Sequence, residues 1–255
     1  MKKIWAVLLC AIIATTTSVV FAHSGDLAQQ KQQTLSSQHQ KSSGAQETAN
    51  PGSIPTVLVN GIVIKSELNH FKDEVLYVSV EEFASLLDKS YDFSMQEKQV
   101  TFNGKIINSI RIKSGEPTAN ITDLATAVGA QKITWDAANN ECYVLVLPEG
   151  TIQLDPHVVP KMGEHWANPG AGDLPIGPIY GVYDGKLVFL EYMIAQEDFI
   201  QGKNHVNLAG MKGVPMPQVV QVDVEYQAHG HSGFEVPHYD IHNYFISDEE
   251  QQEIE

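Results

Sequence analysis

Two dipeptides, Asn60-Gly61 and Asp184-Gly185, each stand between short runs of β-branched, apolar and aromatic residues: Val57-Leu58-Val59 with Ile62-Val63-Ile64, and Ile179-Tyr180-Gly181-Val182-Tyr183 with Lys186 to Ile194. Two-residue turns whose φ angles are both positive match the twist of paired strands, and Asn, Asp and Gly reach that backbone region at least cost. Both halves of the chain are thereby committed to antiparallel hairpins. Helical signals lie between and after them, so the fold class that follows is α+β.

The first helical signal is Glu81-Glu82-Phe83-Ala84-Ser85-Leu86-Leu87, in which Phe83, Leu86 and Leu87 share one side and Ser79 is placed to cap. Tyr91-Asp92-Phe93 and Gln99-Val100-Thr101-Phe102 then alternate as a hairpin. About forty residues later, a period typical of repeats, the order recurs. Ile121 to Val128 matches the helix, with Leu124 in the place of Phe83 and Gly129 as a stop. Ile133-Thr134-Trp135-Asp136 and Cys142-Tyr143-Val144-Leu145 match the hairpin. Residues 54–149 therefore read as a duplicated strand-helix-hairpin α/β module, with His70 a loop residue near a turn.

The opening Val57-Leu58-Val59-Asn60-Gly61, the helix entry Tyr77-Val78-Ser79-Val80-Glu81-Glu82-Phe83-Ala84, and Ile133-Thr134-Trp135-Asp136 before a strand resemble the copper amine oxidase-like N-terminal domain. That domain is a stalk module of secreted proteins of Gram-positive bacteria. The resemblance spans Thr56 to Pro148 and implies a small α/β spacer or adhesion module at the cell surface. It does not imply bound copper, because the metal of those oxidases is held elsewhere.

Met1 to Ala22 carries Lys2 and Lys3, an apolar run from Ile4 to Ile13, and small residues ahead of Ala22. This is the pattern of a secretory signal peptide cut between Ala22 and His23, which makes the protein secreted or cell-wall associated. A lipoprotein reading would use Cys10, but bulky Leu8-Leu9 precede it. The apolar run is also short of the ~20 residues that span a bilayer, so no stable membrane span is expected after cleavage. Residues 23–53, rich in Gln, Ser, Lys, Ala and Thr, cannot bury enough surface to order themselves and read as a disordered linker. With 31 acidic against 16 basic residues, two of which leave with the signal, the exported chain is strongly acidic. Nucleic acid and anionic membrane surfaces are poor partners for it, and cations are good ones. Only Cys142 remains after export, so no internal disulfide is available and Cys142 reads as a buried apolar residue.

Seven of the ten histidines lie from His157 onward, a concentration not expected of a second spacer. Residues 155–255 therefore read as a separate, mainly antiparallel α+β domain. In Pro237-His238-Tyr239-Asp240-Ile241-His242-Asn243-Tyr244-Phe245 a strand's period of two puts His238, Asp240 and His242 on one face. Imidazole with carboxylate suits zinc, iron, manganese or copper. Both faces of Leu187 to Ile194 are apolar apart from Glu191. Burying that carboxylate costs several kcal/mol unless it is paired, for instance with Lys186 or Lys161, or bound to a cation. Gln218 to Tyr226 alternates, with Val220, Val222, Val224 and Tyr226 expected inward and Gln221, Asp223 and Glu225 outward. His229 and His231, in a glycine-rich loop, could extend a metal site, but loop histidines beside glycine more often face solvent; Ser247-Asp248-Glu249-Glu250 is a capping box.

Pro160-Lys161-Met162-Gly163-Glu164-His165-Trp166, the hairpin Gly181 to Met193, and Pro237 to Phe245 followed by Ser247-Asp248-Glu249-Glu250 resemble a domain of unassigned function in secreted bacterial proteins. The resemblance implies that one loop histidine, one strand glutamate and two histidines of the last strand converge; in this chain these are His165, Glu191, His238 and His242. The expectation is a surface-associated protein binding a divalent transition metal through that His/Glu set. Asp240 is the alternative carboxylate ligand or a group that orients a histidine, and Glu164 is a candidate proton carrier. The competing expectations are a cell-envelope binding or assembly module with structural histidines, including a homo-oligomer, and a cell-wall hydrolase working through Glu164, Glu191 or Asp240 without metal. No Gly-x-Ser-x-Gly elbow, His-Glu-x-x-His helix, phosphate loop or dinucleotide fingerprint is present.

Overall fold

The computed structural model of the protein describes residues 53–211 and 213–255. The expected signal peptide, 1–22, and nearly all of the expected linker, 23–53, lie outside the described residues. The described chain is β-rich, with 17 strands and four short α-helices. None of these helices is long and apolar enough to cross a membrane.

In the first half β1 (Thr56–Val59) and β2 (Ile62–Ile64) form the expected hairpin, with Asn60 at φ 50° and Gly61 at φ 83°. β3 (His70–Lys72) and β4 (Val75–Ser79) lead into α1 (Val80–Leu86), whose first turn is capped by the Ser79 side chain accepting from the Glu82 N–H. His70 begins β3, stacked on Tyr77, rather than standing in a loop. β5 (Tyr91–Ser94), β6 (Gln99–Phe102) and β7 (Lys105–Ile107) make a three-stranded sheet. β8 (Ile110–Lys113) and β9 (Glu116–Asn120) precede α2 (Ile121–Val128), which Gly129 ends in the left-handed conformation. β10 (Lys132–Asp136) and β11 (Glu141–Leu145) close the half, β11 pairing antiparallel with β10 and parallel with β1. Val57, Val59, Val78, Phe83, Phe102, Leu124, Cys142 and Val144 share one apolar core, and burial pushes the Cys142 thiol pKa up to about 11.

The second half is a single six-stranded antiparallel sheet built from β12 (Ile152–Gln153), β13 (Glu164–Ala167), β14 (Ile179–Tyr183), β15 (Lys186–Ala195), β16 (Gln221–Gln227) and β17 (His238–Tyr244). Its order, β12-β13-β14-β15-β17-β16, leaves β16 at an edge. α3 (Gln196–Ile200) follows β15, and α4 (Asp248–Gln252) opens on the expected capping box between Ser247 and Glu250. β14 and β15 meet at Asp184 (φ 49°) and Gly185 (φ 80°). A Cβ on Gly185 would lie 2.4 Å from the Thr134 hydroxyl oxygen, so this hairpin tip fits against β10 only as glycine.

The two halves share structure at that junction. Leu145 and Leu147 pack in one cluster with Tyr180, Val182, Leu187 and Leu190. Asn60, 1% exposed, donates to the carbonyls of Val146 (2.7 Å) and Pro215 (2.8 Å) and accepts from the Val146 N–H (2.8 Å). One side chain thus both permits the first turn and ties it to the segment before β16.

The burial of β16 is the reverse of the expectation. Val222 and Val224 are 53% and 60% exposed. Asp223 and Glu225 lie opposite His242 and Asp240 of β17, and such cross-strand partners share a face. The buried face of β17 carries His238, Asp240, His242 and Tyr244, so the acidic residues of β16 turn toward that face and the valines turn away.

Candidate metal centre

Antiparallel register places the candidate residues. Glu191 of β15 stands opposite His242 of β17, Met193 opposite Asp240, and Ala195 opposite His238. His165 of β13 stands opposite Gly181 of β14, which is opposite Phe189 of β15. Gly181 is required here, because a Cβ would lie 2.2 Å from a Phe189 ring atom. The Phe189 ring therefore lies against the strand, with His165 edge-on at 5.5 Å and His242 edge-on at 4.9 Å between ring centroids. Ala167, Ile179 and Met193, with Leu174 and Phe234, form one apolar cluster, and Val188, Phe189, Tyr244 and Ile254 form another.

His231, His238 and Asp240 offer ligand atoms that all lie within 4.8 Å of one another. Nδ1 of His238 is 2.6 Å from the Val236 carbonyl, and Nδ1 of His231 is 3.1 Å from that of Ser232. A carbonyl only accepts, so each Nδ1 carries a proton and each neutral ring turns its Nε2 lone pair the other way. Those two Nε2 atoms are 3.2 Å apart. Asp240 Oδ1 lies 3.0 Å from Nε2 of His238, and Oδ2 lies 3.9 Å from Nε2 of His231. Asp240 is 2% exposed, and its Oδ1 has no aligned hydrogen-bond partner. Three electron-rich atoms thus converge where two of the three side chains are buried, which is unfavourable unless a cation joins them. A proton between the two imidazoles would satisfy the nitrogens and leave Oδ1 without a donor. A tetrahedral ion with bonds of 2.0–2.1 Å would hold its ligands about 3.3 Å apart, close to the two shorter separations here. Backbone carbonyls on the far ring nitrogens are also the usual means of fixing metal-binding histidines.

A second group adjoins the first. His242 is wholly buried, with Nε2 3.3 Å from Glu191 Oε1 and Nδ1 3.5 Å from Glu225 Oε2, neither in hydrogen-bond alignment. Burial alone would lower the His242 pKa; contact with Glu191 and the charges of Asp240 and Glu225 outweigh it, and the net shift is upward. The His165 pKa is lowered, chiefly by burial, with nearby Glu191 opposing the shift.

Of the four residues expected as ligands, His238 thus lies with His231 and Asp240, while Glu191 and His242 face each other, and His165 packs edge-on against Phe189. Asp240 is a member of the three-donor group. His231, which the sequence offered only as a possible extension of the site, is its third donor. It sits half-exposed on the loop ahead of β17, where the His231–Phe234 bridge and the packing of Phe234 on His238 at 4.5 Å bring it over the strand. Its signal in the sequence was its place in the loop that leads into the strand, seven residues before His238. Glu191 pairs with His242 rather than with Lys186 or Lys161. Glu164, expected as a proton carrier, belongs to the other face of β13, where it accepts from Lys132 (3.1 Å) and from the Trp166 indole (3.1 Å).

No family model matches the chain. No curated protein matches it either. Among solved structures, the crystal structure of a hypothetical protein from Thermus thermophilus aligns with 39% of this chain and 91% of its own, at 20% identity and a TM-score of 0.35.

Proposed function

We propose that this is an exported protein whose C-terminal half binds one divalent transition-metal ion, of the zinc, iron, manganese or copper class, through Nε2 of His231, Nε2 of His238 and a carboxylate oxygen of Asp240. The observation that carries the reading is the meeting of three lone-pair-bearing atoms within 4.8 Å, with Asp240 Oδ1 lacking an aligned hydrogen-bond partner. Two imidazoles and one carboxylate leave coordination positions for water or a further ligand, and half-exposed His231 provides the solvent side. Export is supported by the charged start, apolar centre and small-residue end of 1–22. The acidic balance of the chain suits cation capture at a cell surface. In this reading residues 54–149 are the duplicated α/β stalk that presents the metal-binding half.

The test is elemental analysis of untagged protein, with melting temperature followed on adding zinc or copper. An ion that binds only the folded state stabilises it by about 2.7 kcal/mol at a hundred times its Kd. His238→Ala and Asp240→Asn should abolish both metal content and the shift. Absence of metal and an unmoved melting temperature in the parent protein would overturn the proposal.

The exposed valines of β16 favour a second reading, an envelope assembly module whose histidines are structural. Native mass of the metal-free protein separates the two, since an assembly module self-associates without the ion.

A further inference from the structure

We propose that the free edge of β16 takes up an extended segment of a partner protein in which basic and apolar residues alternate. Docking there needs no metal.

The two edges of the six-stranded sheet are unlike. β12, at one end, is two residues long, too short to template a further strand. β16, at the other, runs for seven residues in unbroken register with β17, and among the described residues it pairs with no other strand. Along its open side every second residue turns its N–H and C=O away from the sheet. Gln221 to Gln227 contains neither proline nor lysine, and no bulge interrupts the pairing, so nothing in the backbone deters an added strand. Such an edge is the template for strand addition, in which main-chain hydrogen bonds hold the newcomer and side chains select it.

The side chains of β16 define what is selected. Val222, Val224 and Tyr226 are exposed on one face. Ile241 and Tyr239 of β17 stand opposite Val224 and Tyr226 and extend that apolar row, with Phe199 of α3 edge-on to Tyr239 at 5.3 Å. An added strand lays its own apolar residues beside this row. Its alternate residues then meet Asp223 and half-exposed Glu225 on the other face.

Charge decides between occupants. Two copies of β16 paired antiparallel about Val224 set Asp223 against Glu225 twice across the seam, and like charges directly opposite are destabilising. With 31 acidic against 16 basic residues, the rest of the chain adds to that repulsion. Lysine or arginine opposite the same carboxylates is favourable, so the edge rejects its own copy and accepts a basic strand.

The probe is an end-blocked peptide as long as β16 in which valine and lysine alternate, titrated against the full chain and followed by backbone amide hydrogen exchange. Binding should slow exchange within residues 221–227. Val224→Lys and Asp223→Asn should each weaken binding about two- to fivefold, with circular dichroism checking the fold of each variant. A peptide with glutamate in place of lysine should not bind. Three results would each overturn the proposal: no protection within 221–227, equal binding of the glutamate peptide, or a native mass showing a dimer that Val224→Lys dissolves. The last would assign the edge to a second copy.

Discussion

The two halves of this molecule use the same hairpin grammar and bury opposite kinds of residue. In the first, β1, β4, β6 and β11 turn valine, leucine and phenylalanine into one core, and the buried polar residues Asn60, Asn69, Ser79 and Thr118 are uncharged. In the second, β15 and β17 place Glu191, His238, Asp240 and His242 on one buried face between two small apolar clusters. Burying ionisable groups without full hydrogen bonding costs stability, and a sheet that does so repeatedly is arranged for chemistry or ligand binding more than for its own persistence. Alternation in a strand thus tells which residues travel together. It does not tell which set faces inward.

The contrast can be tested by substitution. Phe102→Ala, in the apolar core, should cost about 3–5 kcal/mol in urea unfolding and leave metal uptake unchanged; a change in uptake would show that the halves do not divide their roles. Asn60→Ala strips three hydrogen bonds from the junction and forces alanine to positive φ, for a loss of about 2–4 kcal/mol. Asn60→Gly restores the turn alone and should recover part of it. Gly181→Ala drives a methyl group into the Phe189 ring and should cost about 1–3 kcal/mol by overpacking. The Phe189 ring packs edge-on against His165 and His242, outside the group of His231, His238 and Asp240, so metal uptake should be unchanged in the same variant, and a fall in uptake would draw Phe189 into the site. Val224→Lys, on the outward face of β16, should shift stability by no more than about 0.5 kcal/mol. A large loss there would mean that another surface covers this face.

Much of the fold was legible in local chemistry. The turns at Asn60-Gly61 and Asp184-Gly185, the Ser79 cap, the Gly129 stop and the Ser247 capping box depend on a few adjacent residues and appear where those residues require. The common face of His238, Asp240 and His242 follows from strand period alone. The orientation of β16 was hidden because it depends on its neighbour. Only the register Glu225 to Asp240 and Asp223 to His242 turns the acids toward the site and the valines away. His231 was visible only as a possible extension of the site for a similar reason. A glycine-flanked loop histidine looks solvated until Phe234 and the His231–Phe234 bridge fold it back over β17. Glu191 was visible as an anomaly in an apolar strand, but its partner was set by the β15–β17 pairing rather than by the nearest lysines.

The seam at Leu145 and Leu147 has a thermal corollary. These residues leave the last strand of one sheet and become part of the floor beneath Tyr180, Val182 and Leu187 of the next, while Asn60 clasps both sides. Melting either side would strip the other of its lining. Trp135 and Trp166, one in each half, should therefore trace the same fluorescence melting curve, with a single midpoint for both indoles.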